Sequence, residues 1–405
     1  MHNMTTTETV KSTLAEHMHK ELLSLLSFWA DYTVDEQHGG FLGAIDSDMT
    51  VQAEAPKGLV LNARILWTFA KGYRMFQTEQ YLHLAQRAYD YLTTYFYDPT
   101  YGGYYWAVDY KGQPLEPRKH IYGQAFTLYA LSEFYLASGS PEVLEKAKKL
   151  YAEMEAYSYD PVNKGYYEAF AQDWSRQEGD ARFNIYAQND AKSMNSHLHI
   201  MEAYTNLLRA WDLPHLRSRL KELIEVTLEH IVVASNESFA LYFDAQWQVT
   251  SHEVSPGHDI EGSWLLDEAA HILGDETLIA KVKKVALEMA EAVLQHGLDI
   301  DGAVWNETDG HGKVLDADKD WWPQAEAVVG FVNAYTSSGE EKFLEAAVKT
   351  WDFIETTLID REHGEWHGRV SQDRVPYAKD QKVNAWKCPY HNSRACFEVV
   401  ERFKR

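Results

Sequence analysis

A motif that recurs six times limits the possible folds of this chain more than any other feature. An acidic or polar lead-in, one or two small residues, an aromatic, a stretch of alternation and a turn appear as DEQHGGFLGAIDSDM (35–49), DPTYGGYYWAVDYKG (98–112) and DPVNKGYYEAFAQDW (160–174). They return as ASNESFALYFDAQWQ (234–248), DIDGAVWNETDGHGK (299–313) and DREHGEWHGRVSQDR (360–374). Each reads as a short β-hairpin or strand pair. The small residues Gly40, Gly103, Gly165, Ser238, Gly302 and Gly364 are spaced by 63, 62, 73, 64 and 62 residues, a near-constant period with one insertion between the third and fourth copies.

Between the hairpins the apolar period changes to 3.6, and each interval has room for two helices of roughly 15 to 20 residues. The first of each pair is apolar around most of its circumference, as in HIYGQAFTLYALSEFYLA (120–137) and EGSWLLDEAAHIL (261–273). The second has a charged face, as in PEVLEKAKKLYAEMEAY (141–157) and LRSRLKELIEVTLEHI (216–231). An all-round apolar helix must be buried and an amphipathic one lies at the surface. The expected fold is therefore all-α: six inner helices inside six outer ones, an (α/α)6 barrel with short β-hairpins connecting the helix pairs, in one catalytic domain over residues 1–405. An N-terminal helix near 8–32 would pair with the last segment, 384–403, and close the ring. An open solenoid is the alternative, and six equal units with complementary ends favour closure.

In such a ring the inner helices run parallel and their first turns converge on one mouth. The starts carry Arg64; His120 and Tyr122; Asn195 and His199; His258 and Glu261; Trp321, Trp322 and Glu326; and Trp386, His391 and Arg394. Taken alone, HDIEG (258–262) could be a capped helix, with Asp259 accepting backbone N–H groups at the positive end of the dipole. Six polar or aromatic starts brought to one rim describe a pocket instead. His199, His258 and His391 are candidate acid/base groups, since an unperturbed imidazole titrates near neutral pH. The bland readings are a core histidine for His199, a cap for His258, a loop hydrogen-bonder for His391, a snorkelling or paired Arg64, and core packing for Trp321, Trp322 and Trp386.

Composition removes several classes of partner. With 38 Lys and Arg against 61 Asp and Glu the net charge is -23, which repels phosphate backbones and anionic lipids. Neither nucleic acid nor membrane is an expected partner, and no run of about 18 uncharged apolar residues is present. The N-terminus has no basic flank before an apolar core, and the only cysteines, Cys388 and Cys396, lack CxxC spacing; both suit a cytoplasmic protein. The 13 Trp and 25 Tyr exceed what a core needs and suit stacking on sugar C–H faces. A set of histidines and a glutamate could bind zinc or manganese, but tight ligand spacing such as HExxH is missing, so no metal is expected. No GxGxxG or GxxxxGK[ST] cradle is present, so no nucleotide cofactor is expected either.

At KSMNSHLHIMEAY, GHDIEGSWLL, DWWPQAEA and WKCPYHNSRAC the sequence resembles the N-acylglucosamine 2-epimerase superfamily, and more closely its cellobiose 2-epimerase branch, which includes mannobiose 2-epimerases. The resemblance runs along nearly the whole chain; HDIE and WKCPYHN point to the disaccharide branch. It implies an (α/α)6 barrel and C2 epimerisation of the reducing-end glucose of β-1,4-linked disaccharides such as cellobiose, lactose or mannobiose, without cofactor or metal. It further implies His258 and His391 as the acid/base pair, with His199, Arg64, Asn195 and Tyr122 around the sugar oxygens. Glu261 would support His258, and Trp322 and Trp386 would stack on the rings. Trp321 and Glu326 are further candidate substrate contacts, and a monomer is expected. The competing readings are an epimerase or aldose–ketose isomerase acting on monosaccharides, a glycoside hydrolase using Glu261 and Glu326 as paired carboxylates, and a non-catalytic sugar-binding protein.

Overall fold

The computed structural model describes residues 2–176 and 191–404, and twelve α-helices lie among them. They are α1 (His2–Tyr32), α2 (Leu59–Phe76), α3 (Glu79–Tyr91), α4 (Ile121–Ser138), α5 (Pro141–Tyr157) and α6 (Met194–Ala210). The second half holds α7 (Pro214–Val226), α8 (Pro256–Leu273), α9 (Glu276–His296), α10 (Trp321–Ser338), α11 (Glu341–Phe353) and α12 (Tyr390–Lys404). The even-numbered helices pack each on the next, and α12 returns to α2, so the inner ring is closed. The odd-numbered helices surround it, with α1 seated on α12. This is an (α/α)6 barrel. The last helix begins at Tyr390 rather than near 384, because Asn384 folds the preceding segment into a turn, accepting from the backbone N–H groups of Trp386 and Lys387. The expected insertion, 174–190, falls almost wholly outside the described residues. Among the described residues no helix is long and apolar enough to cross a membrane.

The burial pattern follows the apolar period. In α4 every residue from Ile121 to Phe134 is buried, whereas α5 buries only Val143, Ala147, Leu150, Tyr151 and Met154, a stripe of one helical face. Three outer helices, α3, α7 and α11, each continue into a five-residue π-helical turn, Leu92–Phe96, Thr227–Ile231 and Ile354–Leu358.

The expected hairpins are smaller than the sequence suggested, and much of the β pairing runs between units. Within a unit the turn is closed by as little as one bridge, as at Val34–Phe41, Tyr97–Tyr104 and Tyr159–Tyr166. The strand leaving each turn then pairs with the strand that leads into the preceding unit's inner helix: Ala107–Val108 on Lys57–Gly58, Ala169–Phe170 on Lys119–His120, Tyr242–Phe243 on Lys192–Ser193, and Arg369–Val370 on Lys319–Asp320. Ile45 bridges Val383 and completes the circle. The bridge Ile359–Trp366 also corrects the sixth repeat marker by one residue. Glu365, at φ +60°, occupies the left-handed position that Gly40 takes in the first unit, and Gly364 precedes it. At Gly165 (φ +73°) a Cβ would lie 2.5 Å from the Trp247 ring, so backbone shape and close packing both require glycine there.

Inter-unit pairing helps to satisfy the starts of the inner helices, of which α2, α8 and α10 have no side-chain cap while His120 caps α4 and Ser193 caps α6. The first N–H of α2, α4, α6 and α10 donates to a carbonyl of the next unit, from Leu59 to Trp106, Ile121 to Glu168, Met194 to Leu241 and Trp321 to Gly368, at 2.9 to 3.1 Å. With an orphan donor satisfied by backbone, the side chains of those first turns are free for other work.

The sequence reading missed a set of buried ion pairs that lock the turns. Lys57–Asp35 (2.7 Å), Lys119–Asp98 (2.7 Å), Lys192–Asp160 (2.9 Å), Lys319–Asp299 (3.5 Å) and Lys382–Asp360 (2.6 Å) recur in five of the six units, with the lysines at most 2% exposed. In the fourth unit the equivalent bridges, Val232–Phe239 and Val254–Thr308, put Val233 and Val254 at the two positions. That unit has exchanged both charges for apolar groups. Removing one partner leaves a buried charge, while removing both does not. Lys119→Met is therefore expected to lower unfolding free energy by about 3 kcal/mol, and Lys119→Val with Asp98→Val to recover more than half of it in urea titrations. A double variant as unstable as the single one would contradict this account.

Candidate active site

The six inner helices open onto one mouth, where a cavity of about 380 Å³ is lined by Arg64, Tyr122, Asn195, His199, His258, Glu261, Trp321, Trp322, Trp386 and His391. Ten of the residues singled out from the sequence meet there. Asp320, which ends the strand before α10, also lines it and was not anticipated. Glu326 does not line it: at 0% exposure it stands behind the wall, bonded to His391 Nδ1 and accepting from Arg394 and Trp264, which corrects its expected place as a substrate contact.

The three histidines are held alike. His391 Nδ1 lies 2.7 Å from Glu326 Oε1, His199 Nδ1 lies 2.9 Å from Glu202 Oε2, and His258 Nδ1 lies 2.8 Å from Ser255 Oγ. In each case Nε2 has no hydrogen-bond partner among the described residues. Trp322 touches both His258 (ring centroids 4.5 Å apart) and His391 (5.6 Å), so one indole spans the two imidazoles. His199 packs against Phe126 (4.6 Å) and Tyr122 (5.1 Å).

Glu261 does not orient His258, although three residues separate them on one helix. Its carboxylate points across the barrel to Arg394 Nη2 at 2.6 Å, and that nitrogen also donates to Glu326 Oε1 at 2.6 Å. Arg394 Nη1 reaches Glu202, which also accepts from the Tyr390 hydroxyl. Trp264 Nε1 completes Glu326 at 3.1 Å. One guanidinium from α12 thus ties together carboxylates from α6, α8 and α10, and a bonded chain runs from His199 through Glu202, Arg394 and Glu326 to His391. Its fork of donors suits this task as a point charge would not. Ligand atoms of Glu261, Glu326 and His391 lie within 4.8 Å of one another, the spacing of a metal site. The Arg394 guanidinium already supplies the cation between the two carboxylates.

Burial sets the protonation states. Desolvation lowers His258 to about 3, helped by His199, and holds His391 well below the ordinary imidazole range, helped by Arg64 and Arg394. His199 is lowered by burial too, against the pull of Glu202. Burial pushes Glu261 and Glu326 up, with Arg394 opposing it in both; burial also works to raise Glu202, but Arg394 and His199 hold it down at about 2. Two carboxylates on one nitrogen repel each other, so the pair keeps a proton at neutral pH. Burial thus favours neutral imidazoles and a protonated carboxyl within the Glu261–Glu326 pair.

Arg64 is 2% exposed, bonded to the Tyr122 hydroxyl at 2.9 Å and to Cys388 Sγ at 3.8 Å, with the Phe126 ring 4.1 Å away. Those partners hold it in its charged form despite burial. Asn195, half-buried, has an Oδ1 with no partner among the described residues. Trp386, 38% exposed, leans over the rim, 5.9 Å from Tyr122.

Asp259 does not cap its own helix. Its Oδ1 accepts from the Phe239 N–H at 2.7 Å and anchors the fourth turn, the task that Gln124, His197 and Gln324 perform for other turns. Burial raises its pKa to about 8. An acid whose pKa rises on folding destabilises the fold once the unfolded chain would be ionised, so the penalty is absent below pH 4 and grows until pH 8. Asp259→Asn is expected to raise the unfolding free energy increasingly across that interval, by on the order of 1–3 kcal/mol at pH 8. A pH-independent difference would refute the assignment.

The chain matches the model of the N-acylglucosamine 2-epimerase (GlcNAc 2-epimerase) family over residues 39–395. The chain belongs to that family. It is 42% identical to a cellobiose 2-epimerase of Bacteroides fragilis over 96% of its own length and 98% of the relative's. A cellobiose 2-epimerase of Dictyoglomus turgidum is 37% identical over 97% and 98%. The solved structure of cellobiose 2-epimerase from Bacillus thermoamylovorans B4167 superposes with a TM-score of 0.92, at 38% identity over 96% of this chain and 100% of that one. Family membership makes the chain an epimerase, and the resemblance seen in its motifs is borne out. A GH76 α-mannanase from Bacteroides thetaiotaomicron shares the barrel at 14% identity and a TM-score of 0.65, a likeness of fold alone.

Proposed function

We propose that the protein inverts C2 of the reducing-end glucose of β-1,4-linked disaccharides such as cellobiose, lactose or mannobiose, with His258 and His391 as the proton-transfer groups. The observation that carries this is the pair of imidazoles spanned by Trp322 in one cavity, each held through Nδ1 with Nε2 left without a protein partner among the described residues.

The C2 proton becomes acidic only once the sugar ring has opened to the aldehyde, and its loss leaves an enediolate. One histidine takes that proton at Nε2 while the other group delivers one to the opposite face. His391 can deliver without first being a cation: Nε2–H goes to carbon as the carboxyl proton of Glu326 moves to Nδ1. His258 ends as imidazolium, Glu326 ends as carboxylate, and solvent returns the proton before the next turnover. Run backwards, the same groups convert the other epimer. Arg64 and Tyr122 stand where the enediolate oxygens gather charge, Asn195 and His199 contact the hydroxyls, and Trp322 and Trp386 stack on the two rings. The protein acts as a monomer in one catalytic domain and in the cytoplasm, where two buried free thiols, Cys388 and Cys396, stay reduced.

The hydrolase reading fits less well. Glu261 and Glu326 share one Arg394 nitrogen instead of flanking a scissile bond, and Glu326 is off the cavity. Incubation with cellobiose followed by carbon NMR is expected to yield glucosyl-mannose and no free glucose. Free glucose without glucosyl-mannose would replace epimerisation with hydrolysis.

A further inference from the structure

The barrel has a second mouth. At the C-terminal ends of the inner helices lies a cavity of about 480 Å³ to which all six inner helices contribute and no outer helix does. It is larger than the cavity at the other end and falls in the ordinary range for small-molecule sites. The epimerase chemistry uses none of it.

Its lining has two parts. The floor is aromatic: Trp67 and Tyr129 stack with centroids 5.3 Å apart at 16°, beside Trp264, and the Tyr129 hydroxyl has no hydrogen-bond partner among the described residues. The rim is a circle of compensated charges, Arg74 on Glu133 (2.5 Å), Arg209 on Glu268 (2.7 Å) and Lys71 on Glu401 (2.9 Å). Basic residues at these positions suit the negative ends of the helix dipoles. Because each cation is matched by a carboxylate, an anion entering the cavity would have to break a pair, and Asp267 adds an acceptor whose Oδ1 has no hydrogen-bond partner among the described residues. A neutral polyhydroxyl ligand would break no pair. Its hydroxyls can take the unused N–H groups and lone pairs of intact pairs, while a C–H face lies on the indole and phenol rings.

We propose that this second mouth is a saccharide-binding site, distinct from the catalytic one. One layer of side chains separates the two. Trp264 donates its N–H to Glu326 on the catalytic side, and the Arg402 guanidinium lies 5.9 Å from its ring on the other. Trp67 meets Tyr390 at 5.3 Å, and the Tyr390 hydroxyl bonds Glu202.

The test is calorimetric titration of the full chain with cellobiitol, a reduced disaccharide that has no aldehyde and cannot turn over. Two molecules are expected to bind per chain. Ser337→Trp, which fills the second mouth from its half-exposed rim, is expected to leave one and to keep epimerase activity. Trp386→Ala, at the catalytic mouth, is expected to leave the other, which separates failure of this site from failure of the catalytic reading. Thr336→Trp, on the exposed side of the same rim, replaces Ser337→Trp if that variant does not fold. Retention of the Trp386→Ala site in the rim variant, or absence of any site in Trp386→Ala itself, would overturn the proposal.

Discussion

His391→Ala is expected to lower the turnover number on cellobiose by at least ~10²-fold while leaving the fold intact. The imidazole is 5% exposed at the cavity wall, and its Nδ1 is fixed by Glu326, so alanine removes both the proton carrier and its link to the carboxyl reservoir. Glu326→Gln separates these roles. The amide still orients the ring but cannot take or give a proton, so the loss should be smaller and accompanied by a changed pH profile. His258→Ala should lose turnover on the same scale as His391→Ala. Near-normal turnover in either histidine variant removes that residue from the mechanism.

Arg394→Leu is expected to be the most damaging single change to stability. Arg394 is 1% exposed and is the shared partner of Glu202, Glu261 and Glu326. Without it two or three buried carboxylates must be protonated or left unpaired, and breaking even one buried pair costs about 3–5 kcal/mol. A loss at the top of that range, measured by urea denaturation, is the expected result. The effect should ease at low pH, where raised-pKa carboxyls such as Glu261 and Glu326 are protonated in the fold anyway. Arg394→Lys should recover only part, because a single ammonium cannot span three helices as the planar fork does. A stable Arg394→Leu protein would mean the hub is not what organises these carboxylates.

Periodicity alone carried the barrel, since a buried helix and a half-exposed one leave different apolar stripes, and α5 runs over the residues its pattern marked, 141–157. The cavity wall was legible for the same reason, because a fixed repeat brings every inner-helix start to one rim. What spacing could not give is contact across the axis. Glu261 and His258 share a helix face, yet the carboxylate turns to Arg394, 133 positions away. Glu326 was misplaced likewise, since nothing local shows that its helix turns it behind the wall. The Lys–Asp clasps were readable in principle: an aspartate opens five of the turns, and four of the lysines stand two residues before an inner helix. Their meaning appears only when strands of neighbouring units are seen to pair.

The central claim is that two groups on opposite faces of C2 carry its proton. It is tested most directly by running the reaction in heavy water to low conversion and reading C2 of both sugars by NMR. The account predicts an epimerised product deuterated at C2 beside recovered substrate that still carries protium. Product that keeps its original C2 hydrogen would contradict it, since that atom would then have crossed from one face to the other without entering the exchangeable pool.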